Sequence, residues 1–122
     1  ALFSAIFTDI DEGFERFHMD YVTDTELYTG TGKLLPKAPV PENVVNISMI
    51  PWTTFTGFNL NINTNPNYLL PIVTAGKFFN KNENIYLPLS LQVHHAVCDG
   101  YHTALFMDTF QRLVRNPKQM LK

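Results

Sequence analysis

The sequence predicts an α+β fold, a two-layer α/β sandwich in which a mixed or mostly antiparallel sheet packs against helices. Three observations carry that reading. Period-two alternation recurs in short segments through the middle of the chain, helical periodicity is confined to stretches near the two ends, and clusters of Gly, Pro and Asn separate them. The 122 residues amount to one ordinary domain, so 1–122 is read as a single domain.

Residues 2–6 form a short apolar run and are expected to be a strand. Thr8, Asp9, Asp11 and Glu12 offer a cap and first-turn acids for a helix that places Phe14, Phe17 and Tyr21 on one side. Residues 29–41, with three Gly or Pro clusters, read as loop. Residues 44–50 are strand-like. Residues 55–65 alternate, with Phe58, Leu60, Ile62 and Thr64 on one face and Asn59, Asn61, Asn63 and Asn65 on the other, before a turn at 65–67. Residues 68–77 read as a further strand and 80–84 as a turn. The strongest strand pattern spans 85–95. It sets Ile85, Leu87, Leu89, Leu91, Val93 and His95 on one face, and Ser90, Gln92 and His94 on the other. After a turn at Asp99-Gly100, a helix is expected from about 101 to 115, with Phe106, Phe110, Leu113 and Val114 in a stripe and Asn116-Pro117 as its stop.

Composition excludes several function classes. Hydrophobic residues make up 45% and charged residues 16%, which is globular rather than disordered. A formal net charge of −2 gives no basic surface for nucleic acid or an anionic membrane. No apolar run approaches the roughly 20 residues that span a bilayer, and the amino end lacks the basic leader of a signal peptide. A lone cysteine, Cys98, points to a cytoplasmic setting, in which the sequon at 46–48 is accidental. The chain opens without methionine and inside a predicted strand, so further sequence is expected upstream.

The chemistry-bearing types concentrate in His94-His95-Ala96-Val97-Cys98-Asp99-Gly100-Tyr101-His102. At the end of an apolar strand face, His95 is expected to be desolvated on one side, favouring a neutral imidazole that can accept a proton. A satisfied core histidine fits the same pattern. His94, His95, Asp99 and His102 are of metal-ligating type, although adjacent strand histidines point to opposite faces and so rarely share an ion. A Cys98–His95 nucleophile pair is a further reading, against which Ala-Val-Cys reads mostly as small packing residues. Asp99-Gly100 is ordinary turn and cap chemistry and equally a lock for the turn that carries His95. Gly30-Thr31-Gly32-Lys33 lacks the spacing of a phosphate loop. The asparagine row at 59–65 reads as a solvated face.

The string from His94 to Gly100 fits the H-H-x-x-x-D-G motif of CoA-dependent acyltransferases, and the chain resembles the chloramphenicol acetyltransferase family in particular. Asn46-Ile47-Ser48, Pro51-Trp52, 55–61, Pro71-Ile72, Gly76-Lys77, 87–89 and 92–102 look like that family's pattern. The resemblance covers essentially the whole chain, more weakly before Asn43. It implies a CoA-dependent acyltransferase-like fold and the C-terminal catalytic portion of such a domain, its N-terminal portion being absent.

The resemblance further implies acetyl transfer from acetyl-CoA, as cosubstrate, to the primary (3-) hydroxyl of chloramphenicol, inactivating the antibiotic. His95 would be the general base for direct attack, without an acyl-enzyme and without a metal. Ser48 would donate to the oxyanion, Thr74 would help hold the intermediate through water, and Asp99 would be a structural aspartate paired with an upstream arginine. Phe3, Ala5, Phe58, Leu60, Ile62, Tyr68 and Ile72 match the antibiotic pocket, with Leu35 where an aromatic is expected. Trp52 and Lys77 match the CoA channel. A homotrimer with active sites between subunits is implied, with neither nucleic acid nor membrane as partner. Two alternatives stand beside this reading. One is another acyl-CoA transferase with a different acceptor, such as a dihydrolipoyl acyltransferase, which would carry lipoyl and linker segments. The other is a non-catalytic fragment that binds CoA or a partner chain.

Overall fold

The computed structural model describes residues 3–60 and 67–121. It comprises two compact units, residues 1–42 with 110–122, and residues 43–109.

The first unit is built around helix α1 (Phe14–Tyr28). Its N-cap is Gly13 at φ 87°, a left-handed backbone open to glycine, and no side chain caps it. The expected cap residue Thr8 is used differently: its hydroxyl donates to Asp24 Oδ2 at 2.9 Å. Asp24 is buried, and Lys37 Nζ meets the same oxygen at 2.8 Å while also donating to the Phe7 carbonyl at 3.0 Å. A buried carboxylate with a cation and a hydroxyl on one oxygen is compensated for its lost hydration. The Lys37 ammonium also sits 4.4 Å from the Phe7 ring centre. These bonds tie the segment before α1 and the loop after it to the helix. The strand expected at 2–6 does not form among the described residues. Ala5 makes one backbone bond, to Leu34 O at 2.7 Å, and Ser4 Oγ donates to Lys33 O. The opposing loop is rich in Gly and Pro and gives no run of residues to extend a ladder.

The second unit holds the strands: β1 (Asn46–Ile50), β2 (Ile72–Gly76), β3 (Phe79–Lys81), β4 (Asn84–Tyr86) and β5 (Leu89–Gln92). β1, β2 and β5 form a mixed sheet in that order, β1–β2 parallel and β2–β5 antiparallel. β3 and β4 form a separate antiparallel hairpin. Its turn places Asn82 at φ 50° and Glu83 at φ 64°, the paired positive values that suit the twist of a two-residue hairpin. The α+β class is thus as expected, with a sheet of mixed sense. β2 is central among the three strands and carries the buried Val73 and Thr74.

The long strand expected over 85–95 is two short ones that belong to different sheets. Pro88 lies between them; it has no N–H to continue a ladder and offers only its carbonyl, which accepts from Gly76 N at 2.9 Å. β5 ends at Gln92, so His95 is not on a strand face but in an exposed turn beyond it. Residues 55–60 are likewise not a strand despite their alternation, and the remainder of that segment, 61–66, lies outside the described residues. Helix α2 (Gly100–Arg115) matches its expected bounds, followed by a 3₁₀ turn at Pro117–Met120. No residue of α2 is buried. No helix among the described residues is long and apolar enough to cross a membrane.

Candidate functional site

The turn between β5 and α2 is closed by its own backbone and by imidazoles. Val97 N and Cys98 N both donate to His94 O at 3.1 Å. Ala96 N donates to His94 Nδ1 at 3.0 Å, so that nitrogen is the bare one of the ring. His95 behaves in the opposite way: its Nδ1 lies 3.1 Å from Cys98 O. A carbonyl oxygen only accepts, so His95 Nδ1 carries the hydrogen, and in the neutral ring Nε2 keeps its lone pair. The exposed His95 therefore presents a free acceptor nitrogen, a tautomer fixed by the turn rather than by a desolvating strand face. The Cys98 contribution is its carbonyl; its thiol is half-buried and unbridged.

Asp99 sits directly before α2 and caps it. Its Oδ1 accepts from Tyr101 N at 3.0 Å and His102 N at 3.2 Å, satisfying two donors of the first turn. His102 Nδ1 lies 2.7 Å from the same oxygen and 3.3 Å from Asp99 N. A ring at this position reaches back to the cap as the glutamate of a capping box does. The Asp99 carboxyl is held below its ordinary range, first by the His102 backbone N–H, and also by the His102 ring and the Tyr101 N–H. The cap reading of Asp99 is thus met in full by residues of α2. Among the described residues no group of three or more His, Cys, Asp or Glu side chains is placed to hold a metal ion.

The sheet brings a second set together. Ser48 pairs with Thr74 across β1–β2, and Thr74 with Ser90 across β2–β5, so three hydroxyl residues form a row. Ser48 Oγ and Thr74 Oγ1 are 3.4 Å apart, and Thr74 is 2% exposed. Two residues back along the register, Asn46 pairs with Ile72, and the Asn46 amide donates to the Tyr68 hydroxyl. Phe58 lies on a cleft of about 340 Å³, lined also by Phe55, Pro88, Leu89 and Ser90. The Phe55 and Phe58 rings stand 5.5 Å apart there. Leu60 is held through its backbone by Gln92. Ile62 lies outside the described residues. Phe3 and Ala5 belong to the first unit; Phe3 is 78% exposed. Trp52 is 84% exposed, and Lys77 N donates at 2.7 Å to the carbonyl of the next residue, Thr53.

Four participants escaped the sequence reading of roles: His94 and His102, which brace the turn, and Ser90 and Gln92, which hold the segment at 58–60. The signal for the last pair was present, because alternation put Ser90, Gln92 and His94 on a polar face of an otherwise apolar strand.

Residues 1–111 match the family model described as chloramphenicol acetyltransferase. A chloramphenicol acetyltransferase of Staphylococcus aureus is 60% identical over 119 residues, 98% of this chain and 55% of the relative. Another, of Staphylococcus intermedius, is 49% identical over 113 residues, 93% of this chain and 53% of the relative. One of Clostridium butyricum is 44% identical over 120 residues, 98% of this chain and 55% of the relative. The chain spans about half the length of the curated relatives it matches.

Proposed function

Since the chain belongs to the chloramphenicol acetyltransferase family, we propose that the protein carrying it transfers the acetyl group of acetyl-CoA to the primary (3-) hydroxyl of chloramphenicol, and so confers resistance. His95 is the general base. Its Nε2 takes the proton of the substrate hydroxyl as the oxygen attacks the thioester carbonyl, giving a tetrahedral intermediate with an oxyanion. Collapse expels the CoA thiolate, which recovers the proton from the imidazolium; no acyl-enzyme and no metal take part. The observation that supports this most is the bond between His95 Nδ1 and Cys98 O at 3.1 Å, which leaves Nε2 as the acceptor.

Ser48 donates to the oxyanion, and Thr74, 3.4 Å from it, helps to hold the intermediate. Asp99 fixes the far end of the turn that carries His95 by capping α2. Phe58, Leu60, Tyr68 and Ile72 contact the acceptor; a flat aromatic antibiotic suits apolar and aromatic walls. Trp52 and Lys77 line the path of CoA. The complete enzyme works in the cytoplasm as a homotrimer with sites between subunits.

The test uses the intact protein with acetyl-CoA and chloramphenicol. The expected product is chloramphenicol acetylated at the primary hydroxyl, identified by NMR, with one free thiol released per acetyl transferred. Thiol release that depends on a different acceptor would assign the site to another acyl-CoA transferase. Absence of any acceptor-dependent release would reduce the chain to a binding element.

A further inference from the structure

Strand β5 does more than lead into the His95 turn; it grips the segment that carries Phe58 and Leu60. The Gln92 amide makes two bonds to a single residue: its Oε1 accepts from Leu60 N at 2.9 Å, and its Nε2 donates to Leu60 O at 2.8 Å. One donor and one acceptor on the N–H and C=O of one residue is the pattern of a hydrogen-bonded pair in an antiparallel ladder. The side-chain amide thus takes the place of a neighbouring strand where residues 55–60 form none. Only one orientation of the amide satisfies both bonds. Two residues earlier, Ser90 Oγ donates to Phe58 O at 3.0 Å. Ser90 and Gln92 share a face by alternation, and register places Ser90 beside Thr74, itself beside Ser48. The same strand and the gripped segment both line the 340 Å³ cleft, through Leu89 and Ser90 and through Phe58, together with Phe55.

We infer that Gln92, seconded by Ser90, is a positioning residue for acceptor recognition: it sets the backbone of residues 58–60, and thereby Phe58 and Leu60, by standing in for a strand partner. The inference rests on the proposed acetyl transfer, in which those two side chains contact the antibiotic. Gln92 touches no substrate and acts only through Leu60, so its loss registers on the acceptor and not on the donor.

The experiment compares intact wild type with Gln92→Ala, Gln92→Glu and Ser90→Ala. Initial rates are measured against chloramphenicol at saturating acetyl-CoA, and the reverse, alongside hydrogen exchange of the Leu60 amide. Gln92→Ala is expected to raise the KM for chloramphenicol about ten-fold, the loss of roughly one net hydrogen-bonded pair, with the KM for acetyl-CoA and kcat unchanged. Leu60 exchange speeds up. Gln92→Glu keeps the acceptor for Leu60 N–H but loses the donor to Leu60 O, and falls between wild type and Gln92→Ala. Ser90→Ala, a smaller change on the same strand, shows the same selective rise in weaker form and serves if Gln92→Ala fails to fold. An unchanged KM for chloramphenicol, or an equal rise for both substrates, overturns the inference. A wild type that turns over no chloramphenicol overturns the proposed function instead, and Leu60 exchange then still decides whether Gln92 holds the segment.

Discussion

Asp99 concentrates several demands on one carboxylate: it accepts the two first-turn N–H groups of α2 and faces the His102 ring. Its folded pKa is depressed, so the charge contributes stability above the ordinary carboxylate value of about 4 and loses it as pH falls through the folded value. Asp99→Asn keeps an acceptor oxygen and removes the charge. Thermal melts of the intact protein at a series of pH values should show the variant melting below wild type at neutral pH, with the two converging at acid pH. Ser48 belongs to the same scale. Its hydroxyl, 3.4 Å from that of Thr74, is the proposed donor to the oxyanion. Ser48→Ala should lower kcat by about 10²–10³-fold, the range for one such donor, with little change in KM; steady-state kinetics check it. At this scale the sequence was most legible where a motif was dense. The Asp99 cap of α2 could be named in advance. The direction of the His95 tautomer could not, because it depends on a carbonyl three residues away whose orientation only the closed turn defines.

Among the elements, those with local signals were read well. Helix α2 is bounded by an Asp cap and an Asn-Pro stop, and the β3–β4 turn by Asn82 and Glu83; both fall where the sequence puts them. The failures share a cause. Alternation over 85–95 and 55–65 is real, but a strand needs a ladder, and ladders are set by distant partners and by proline rather than by local period. Pro88 divides the first, and side chains of β5 rather than a strand take the backbone of Phe58 and Leu60 in the second. β2 shows how tightly the sheet constrains its neighbours. A Cβ at Gly76 would meet the Phe55 ring at 2.8 Å and Thr53 O at 3.2 Å. Gly76→Ala must displace a ring that also lines the cleft with Phe58. It should cost about 1–3 kcal/mol, as overpacking does, measured by denaturant unfolding of the intact protein.

For the whole molecule, burial is the informative quantity. Among the described residues Val73, at 8% exposure, is the one buried hydrophobic, whereas Trp52 and Phe3 are largely exposed. Ordering a backbone costs about 1–2 kcal/mol per residue, offset chiefly by apolar burial. The relatives are about twice as long as this chain, and surfaces such as these are natural places for the rest of a longer protein, or a second subunit, to pack. Expressed alone, residues 1–122 should therefore show no sharp calorimetric transition, while the intact protein melts cooperatively. A sharp transition for the segment by itself would show that it carries a sufficient core. Periodicity by itself does not reveal this exposure, because the apolar stripe of α2 and the alternation of the strands look the same whether their partner lies within the chain or outside it.

The proposal that His95 is the proton acceptor is tested most directly by acetyl transfer from acetyl-CoA to chloramphenicol, followed as thiol release, with intact wild type and His95→Ala in parallel and folding checked by circular dichroism. In a folded variant kcat is expected to fall by about 10²–10⁴-fold, the usual contribution of a positioned base. Equal turnover in the two proteins would contradict it, removing His95 from the chemistry and leaving the turn as a structural link between β5 and α2.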